Sequence, residues 1–414
     1  MTPHPAQPGS RPRVLMLTHR VPFPPDRGDR IRSHHILRTL AGRFDVSLAA
    51  VSDEPTPPAA RDALLQWTTR LAIQRIGALA SRVRGGIALG TGQPITPAMF
   101  HRRRLARTIA RWHTEAPFHA VLTYCTGMVR YSRDLLDRPD AAGVRHVLDL
   151  VDVDSVKWQN YASMTNPPMK FAYAAEARLL REVEAGRYDR FDAITVVSDA
   201  EVQAYAGTVR EDAPVHVVPN GVDLDYFTPQ PDVVPPPGEG GTLLFVGVLN
   251  YRPNVQGLMW FVEGVLPGLR QRLPGTRLIV VGKHPGREVR RLAAVEGVEV
   301  VGPVDDVRSY LARATAVIAP LRVAMGVQNK VLEAMSSARA VVASPGAARG
   351  LVATADEHLL VADDPGEWVE ACQRVLTDGE VRQRLAAAAR TLVETHYAWD
   401  RCLAPLADLL VPPG

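Results

Sequence analysis

The chain of 414 residues has few cysteines and no long apolar run. Its three cysteines, Cys125, Cys372 and Cys402, are far apart and odd in number, so neither a disulfide framework nor a metal cluster is indicated. No stretch approaches the ~18 uninterrupted apolar residues that a membrane helix needs, and the Pro-rich start, 1–13, has no apolar signal core. These absences predict a cytoplasmic protein.

Lysine is also scarce. Of 48 basic residues only four are lysine, namely Lys157, Lys170, Lys283 and Lys330. In so arginine-rich a chain, a lysine within a motif is therefore stronger evidence for a function than an arginine is. The positive charge is uneven, with ten arginines and a single acid, Asp62, between Arg61 and His113. Such a segment predicts contact with anionic lipid or phosphorylated substrates. It lacks the interleaved aromatic residues of a nucleic-acid surface, so we expect no nucleic acid as a partner.

Short β-branched runs alternate with helical patterns, which predicts parallel α/β layers. The length and the 46% hydrophobic content are enough for two cores. A proline-rich break after Pro229 predicts a linker between two such series. The predicted strands are Val14–Thr18, Asp45–Val51, Ala120–Thr123, His146–Leu150, Ala193–Val197 and Val215–Val218 in the first series, and Thr242–Val246, Arg277–Val281, Val298–Val301, Ala316–Ala319, Ala340–Ala343 and His358–Val361 in the second.

Two strands of the second series end in glycine, at Gly247 and Gly282. Ligands of parallel sheets bind outside the carboxyl ends of the strands, so both glycines are candidate backbone approaches to a phosphate. Plain turn chemistry explains a glycine in this position equally well.

The strongest local motif runs from Pro320 to Met335. A strand ends in proline, a loop with one glycine, Gly326, follows, and a helix begins with polar residues that include Lys330. Free backbone N–H groups and the helix dipole favour a diphosphate there, and Lys330 adds a full charge. Glu333, about one turn further, can accept hydrogen bonds from two ribose hydroxyls. An ordinary surface helix is the alternative interpretation.

Other segments accompany this motif in a fixed order. They are Val196–Glu201, Val218–Phe227 just before the proline-rich break, and Phe245–Gly247. With them, the chain resembles the retaining GT-B glycosyltransferases of family 4 over nearly its whole length. Further segments resemble the branch of sugar transferases associated with bacterial exopolysaccharide and PEP-CTERM/exosortase systems, namely Thr18–Ser33, Asp149–Trp158 and Gly326–Lys330.

The resemblance implies an α/β fold of the GT-B type, with two facing Rossmann-like domains and a C-terminal helix that crosses back to the first domain. The implied boundaries are 1–225 for an acceptor-side domain, 226–240 for the linker, 241–396 for a nucleotide-sugar-binding domain and 397–410 for the returning helix. The implied reaction moves a sugar from a nucleoside diphosphate sugar to a hydroxyl with retention, without metal or other cofactor. Positioning and protein cations would carry the catalysis.

The implied acceptor is a glycan or a polyprenyl-linked molecule, used in exopolysaccharide or lipid-linked glycan synthesis at the inner face of the plasma membrane. The predicted catalytic residues are Lys330, Glu333, Asp152 and Asp154. The predicted donor-binding residues are Gly28, Asp29, Gly247, Arg252, Gly282, Gly326, Val327, Gln328, Asn329, Lys330 and Glu333.

Asp152 and Asp154 leave several roles open. Strand alternation would place both carboxylates on one face, where they suit Mg²⁺ or Mn²⁺. Because family 4 works without metal, we expect polar contact with a sugar instead, and a structural role is the third alternative.

The basic stretch, 61–113, contains Arg102–Arg104 followed by Leu105, Ile109 and Trp112 at helical spacing. A basic amphipathic helix of this kind is typical of contact with an anionic membrane surface. A solvated helix that packs on its apolar stripe is equally consistent with the spacing.

One departure from the family pattern concerns the donor sugar. Family 4 usually has two glutamates separated by seven residues, and the position eight before Glu333 is Met325. The first glutamate is therefore missing, while Gln328 and Asn329 offer neutral polar groups nearby. This departure makes a non-catalytic nucleotide-sugar-binding protein an alternative function. A nucleotide-sugar epimerase on the same fold is a second alternative.

Overall fold

The computed structural model describes residues 11–187, 191–208, 214–230, 240–322 and 327–411. Contacts divide the chain into two units, Met1–Pro219 with Leu403–Gly414, and Asn220–Cys402. The first boundary in the structure follows Pro219, whereas the sequence placed it at 225. The proline-rich segment 233–238 lies outside the described residues.

Unit 1 contains a seven-stranded parallel sheet in the order β3-β2-β1-β4-β5-β6-β7. Its strands are β1 Arg13–Thr18, β2 Asp45–Ser52, β3 Arg70–Arg75, β4 Ala120–Tyr124, β5 Arg145–Val151, β6 Ala193–Val196 and β7 Val215–Val217. Its helices are α1 Gly28–Arg43, α2 Pro58–Leu65, α3 Ala78–Gly90, α4 Ile95–Phe100, α5 Arg103–Glu115, α6 Val129–Leu136, α7 Asp154–Ser163, α8 Met169–Arg187 and α9 Asp199–Thr208.

Unit 2 contains a six-stranded parallel sheet in the order β10-β9-β8-β11-β12-β13. Its strands are β8 Thr242–Val246, β9 Arg277–Val281, β10 Val298–Gly302, β11 Ala316–Ala319, β12 Ala340–Ala343 and β13 Leu360–Val361. Its helices are α10 Arg252–Gly264, α11 Leu266–Arg272, α12 Arg287–Arg291, α13 Arg308–Arg313, α14 Asn329–Ser336, α15 Pro345–Ala348, α16 Pro365–Thr377 and α17 Gly379–His396.

The last helix, α18 (Trp399–Leu409), begins in unit 2 and ends in unit 1. Within unit 1, the carbonyl oxygen of Leu409 accepts a hydrogen bond from Arg145. Within unit 2, a Cβ on Gly221 would lie 2.8 Å from the Cα of Trp399, so only glycine fits beside the start of the helix. Together with the two parallel sheets, this helix confirms the predicted fold class.

All twelve predicted strands are present, with small differences at their ends. The strand that sequence reasoning missed is β3, which pairs with β2 at one edge of the unit 1 sheet. Its side chains are half-buried or exposed. An edge strand of this kind needs no continuous apolar run. Because β3 also has an arginine at each end, its sequence lacks the pattern from which the other strands were predicted.

A buried ion pair holds α1 against the sheet of unit 1. The Nε and Nη2 atoms of Arg32 donate to the two carboxylate oxygens of Asp149 on β5, at 2.9 and 3.0 Å. Both side chains are almost fully buried, and Thr195 on β6 donates a further hydrogen bond of 2.9 Å to Asp149. Burial alone would lower the pKa of Arg32, but Asp149 raises it, so the guanidinium keeps its charge.

The substitution Asp149→Asn should therefore be strongly destabilising, because it leaves the Arg32 guanidinium buried without a counter-charge. We expect the free energy of unfolding, measured by urea denaturation, to fall by about 3–5 kcal/mol.

The matched control is Asp408→Asn, which removes the partner of Arg43 from an exposed pair in the same unit. We expect that change to cost less than about 1 kcal/mol. Equal losses in the two variants would contradict the role assigned to the buried pair.

Candidate functional site

The order of the strands reverses between β8 and β11 in unit 2. Helices α10 and α14 follow these two strands, so both begin at the carboxyl edge of the sheet. Open α/β sheets bind ligands at such a point, and helix N-termini there attract anions.

Lys330 joins the first turns of α10 and α14. Its Nζ donates a hydrogen bond of 2.5 Å to the Oδ1 of Asn254 and lies 5.2 Å from the centre of the Phe245 ring. The amide of Asn254 is buried and is oriented by its own hydrogen bond of 3.0 Å to the carbonyl of Val248. Since this partner is a neutral amide, it does not cancel the charge of Lys330.

Burial acts on the two charged residues of α14 in opposite directions. It lowers the pKa of Lys330 to about 8 and raises the pKa of Glu333 to about 7. Each group weakly favours the charged form of the other, but desolvation is the larger effect for both. A cation and a carboxylate that titrate near neutrality make this helix start a candidate functional site.

The two predicted glycines have packing roles. A Cβ on Gly247 would lie 2.8 Å from the Nδ2 of Asn254, and one on Gly282 would lie 1.6 Å from the carbonyl oxygen of Gly247. Gly282 therefore lets the loops after β8 and β9 pack together, and Gly247 leaves room for the Asn254 amide. Their contact with a phosphate stays a prediction.

The other predicted donor residues of unit 2 lie near the same helix starts. Arg252 is exposed at the first position of α10, Val327 is buried, and Gln328 and Asn329 are half-buried. Gly326 lies outside the described residues, as does Met325.

Two asparagines that were not predicted as site residues form hydrogen bonds with predicted ones. Asn220 donates a hydrogen bond of 3.2 Å to the Oδ1 of Asn329, and Asn254 holds Lys330. Asn220 belongs to the Val218–Phe227 segment, and Asn254 lies two residues after Arg252. Both asparagines could therefore have been chosen as candidates from segments that were already singled out.

In unit 1, the strand argument for Asp152 and Asp154 is wrong. Strand β5 ends at Val151, so Asp152 lies in a loop and Asp154 begins α7. A lysine is their neighbour, because Lys157 Nζ lies 3.7 Å from the Oδ1 of Asp154. Burial would lower the pKa of Lys157, but Asp154 and Asp152 raise it above its ordinary value. Asp152 and Asp154 therefore have the positive charge of Lys157 beside them.

Two buried glutamates support the start of α7. Glu201 accepts a hydrogen bond of 2.9 Å from the N–H of Val153, and Glu184 accepts from both the N–H and the hydroxyl of Ser155. Burial raises the pKa of Glu201 to about 7 and that of Glu184 to about 8. Both residues fix the helix that carries Asp154 and Lys157.

Gly28 and Asp29 form the start of α1, next to the reversal of strand order between β1 and β4. The carboxylate of Asp29 lies 2.8 Å from the Nε of Arg20, and its carbonyl accepts a hydrogen bond of 2.9 Å from Tyr124. Asp29 is thus engaged within unit 1. Donor contact by either residue stays a prediction.

His19, which was not predicted as a site residue, lies beside Asp29. Its ring stacks on Tyr124 with centroids 5.6 Å apart, and its Nε2 lies 3.7 Å from the Oδ2 of Asp29. Burial lowers the pKa of His19 to about 4, so the ring is neutral at physiological pH. Its position directly after β1 was the available signal.

The membrane interpretation of α5 is wrong in one respect. Leu105, Ile109 and Trp112 are buried in the core of unit 1, so the apolar stripe of this helix does not face a bilayer. Arg102 donates hydrogen bonds to the carbonyls of Met99 and His101 at 3.1 and 2.7 Å. Helix α5 is therefore the second alternative of the sequence analysis, a solvated arginine-rich helix that packs on its apolar stripe. Throughout the described part of the chain, none of the helices has the length and apolar character required for a membrane span.

Comparison with known proteins finds a family match within unit 2. Residues 240–378 match the sequence family described as Glycosyl transferases group 1. The phosphatidyl-myo-inositol mannosyltransferase of Mycobacterium leprae is 29% identical over 189 residues, which cover 44% of this chain and 50% of that protein. The chain thus matches about half the length of this curated relative.

The fold is shared with solved structures of other proteins. Sucrose-phosphate synthase from Thermosynechococcus elongatus has a TM-score of 0.72 at 17% identity and covers 96% of this chain and 98% of its own. Anabaena HepE in complex with UDP and glucose has a TM-score of 0.65 at 15% identity and covers 96% and 99%. The fold of the chain is therefore GT-B.

The raised pKa of Glu333 has a consequence for stability. An unfolded glutamate ionises near 4.5, whereas the folded group ionises near 7. The folded state thus holds the proton more tightly, and its stability falls as the pH rises through this interval. We expect Glu333→Gln to raise the melting temperature of the ligand-free protein by at least about 2 °C at about pH 8, with little difference near pH 4.5.

The control is Glu263→Gln on the exposed side of α10, measured by the same thermal melts. A Glu333→Gln protein that melts below the wild type at the higher pH would show that the carboxylate stabilises the fold instead.

Proposed function

We propose that the protein is a glycosyltransferase that moves a sugar from a nucleoside diphosphate sugar to a hydroxyl acceptor, and that unit 2 binds the donor. The observation that carries this proposal is the pairing of two helix N-termini, α10 and α14, through Lys330 and Asn254 at 2.5 Å. The remaining features of unit 2 fit a nucleoside diphosphate group by group.

The diphosphate fits the helix starts. The first turns of α10 and α14 present backbone N–H groups and the positive ends of two helix dipoles. Lys330 adds a charge that its neutral partner leaves available, and Arg252 lies exposed at the start of α10. A bound diphosphate would favour the protonated form of Lys330, whose pKa in the free protein is about 8.

The ribose fits Glu333, about one turn further along α14. A carboxylate there accepts hydrogen bonds from two vicinal hydroxyls, and its half-buried position excludes much of the competing water. The glycosyltransferase family match over 240–378 and the UDP held by HepE support a nucleotide-sugar donor for this chain.

In the reaction, the bond between the anomeric carbon and the diphosphate breaks, and the acceptor oxygen bonds to the same carbon with retention. The proton of the acceptor hydroxyl passes to the departing diphosphate. Lys330 and Arg252 stabilise the departing diphosphate, so catalysis rests on positioning and charge and needs neither metal nor cofactor. Retention follows from the resemblance to family 4.

For the acceptor we propose a glycan or a polyprenyl-linked molecule that uses unit 1, in exopolysaccharide or lipid-linked glycan synthesis. The polar groups suited to a sugar hydroxyl there are Asp152, Asp154, Lys157 and His19. A lipid-linked acceptor is supported by the name of the mycobacterial relative, a phosphatidyl-myo-inositol mannosyltransferase.

A second candidate is a protein that binds a nucleotide sugar without transferring it. The absence of a carboxylate at Met325 favours this candidate, because the nucleotide contacts remain while a donor-sugar contact is lost. Turnover of a nucleotide sugar by the purified protein distinguishes the two, and conversion of the donor without transfer would indicate an epimerase.

Loss of the α14 cation tests the donor site. We expect Lys330→Ala to weaken nucleoside diphosphate binding in calorimetry. It should also lower kcat/KM by the factor that corresponds to a loss of about 2–4 kcal/mol in transition-state stabilisation. The matched control is Lys170→Ala, an exposed lysine at the start of α8. If both variants bind and turn over like the wild type, Lys330 is not part of the site.

Transfer should also survive excess EDTA, because protein cations already accompany the leaving diphosphate and the Asp152–Asp154 pair. The assay is initial rate with EDTA and, as a control for the chelator itself, with EDTA saturated with Ca²⁺. Loss of activity that Mg²⁺ or Mn²⁺ restores would make the two aspartates candidate metal ligands.

A further inference from the structure

Three aromatic side chains gather where helices α7 and α8 of unit 1 meet. The ring centroid of Trp158 lies 5.8 Å from that of Tyr161 and 5.2 Å from that of Tyr173. The centroids of the two tyrosine rings are 6.5 Å apart. All three side chains are half-buried, so part of each is open to solvent. We refer to these three residues as the aromatic cluster.

Packing between the two helices does not by itself account for the aromatic cluster. A core tryptophan such as Trp368 of unit 2 is fully buried, with its ring centroid 5.5 Å from that of Phe261. Helices α7 and α8 are also joined by a buried contact of their own, because Glu184 of α8 accepts hydrogen bonds from Ser155 of α7. The aromatic cluster therefore leaves ring surface available to a ligand.

The aromatic cluster lies beside charged groups of α7. Asp154 and Trp158 are four residues apart, and so are Lys157 and Tyr161, so each pair shares one side of the helix. Burial would lower the pKa of Lys157, but the neighbouring carboxylates and the phenol of Tyr161 raise it. The phenol thus lies within electrostatic reach of the ammonium group, whose Nζ is 3.7 Å from the Oδ1 of Asp154.

The backbone just before α7 is strained. Val151, the last residue of β5, has a φ of 68°, which a β-branched residue rarely adopts. The pairing of β5 with β6 changes register between Asp149 and Val151. Cys125 directly follows the neighbouring strand β4 and has a φ of 67°. Because strain and register shifts of this kind are concentrated at binding and active sites, they are a second sign of function at this edge of the sheet.

We propose that the aromatic cluster, Asp154 and Lys157 form a binding site for one pyranose ring of a saccharide acceptor. The apolar C–H face of a pyranose packs on aromatic rings, and its hydroxyl groups need both donors and acceptors. Asp154 accepts hydrogen bonds from such hydroxyls, and Lys157 donates them. The inference rests on the proposed function, because it names the chemical class of the acceptor that unit 1 binds.

A polyprenyl phosphate without a sugar fits these residues poorly. The ammonium group of Lys157 has two carboxylates near it, those of Asp152 and Asp154, so the local charge does not favour a phosphate. A prenyl chain would instead cover these polar groups without offering them hydrogen bonds, which is costly. A neutral sugar avoids both penalties.

The test is direct binding of the methyl glycosides of glucose, galactose, mannose and N-acetylglucosamine to the full chain, followed by saturation-transfer NMR. We expect at least one glycoside to bind, with the largest transfer at the ring protons of its apolar face. Trp158→Leu should raise the dissociation constant of that glycoside at least about tenfold, because the flat ring surface is lost. Trp158→Phe should retain most of the affinity.

The matched control is Trp67→Leu, which removes another half-buried tryptophan of unit 1, one whose ring centroid lies 5.6 Å from the guanidinium carbon of Arg38. This variant should bind the glycoside like the wild type. Melting temperatures show whether each variant folds, and Tyr161→Leu takes the place of Trp158→Leu if the latter does not. Three results would overturn the proposal: no binding of any of the four glycosides, unchanged affinity in the folded variant of the aromatic cluster, or an equal loss in the control.

Failure of this inference and failure of the proposed function give different results, because the binding measurement needs neither a donor nor turnover. A chain that binds a glycoside through Trp158 but transfers no sugar would contradict the proposed function and leave the saccharide site in place. A chain that transfers sugar from a nucleotide donor but binds none of the glycosides would contradict the saccharide site alone.

Discussion

The hydrogen bond from Lys330 to Asn254 is the contact on which the proposed donor site depends. It links the helices that follow β8 and β11, the two strands between which the order of the unit 2 sheet reverses. Gly247 leaves room for the Asn254 amide, and Val248 orients it. A lysine held by a neutral group keeps its charge for a ligand, at the cost of desolvation in the free protein.

Two pairs of buried charged residues differ in how far their partners offset the effect of burial. In unit 1, Arg32 and Asp149 satisfy each other and stabilise the fold, and Lys157 lies beside Asp154. In unit 2, burial moves the pKa values of Lys330 and Glu333 toward neutrality, and their mutual attraction does not compensate for it. Such groups weaken a free protein and gain their stabilisation from a ligand, as expected of a binding site.

The sequence predicted the sheet-forming segments and the start of α14, because apolar runs and helix starts are local signals. It did not predict β3, whose edge position needs no apolar run, or the burial of Trp112, since spacing cannot tell a core-facing stripe from an exposed one. Asp152 was misplaced because β5 ends at Val151. Contacts between distant segments, such as that of Asn254 with Lys330, became visible only in the fold.

The most direct test is a crystal structure of the full chain with whichever of UDP, GDP or ADP raises its melting temperature most. We expect the diphosphate at the starts of α10 and α14, within hydrogen-bond distance of Lys330, with the ribose hydroxyls on Glu333. A nucleotide bound elsewhere, with Lys330 still held by Asn254 alone and Glu333 without contact, would contradict it.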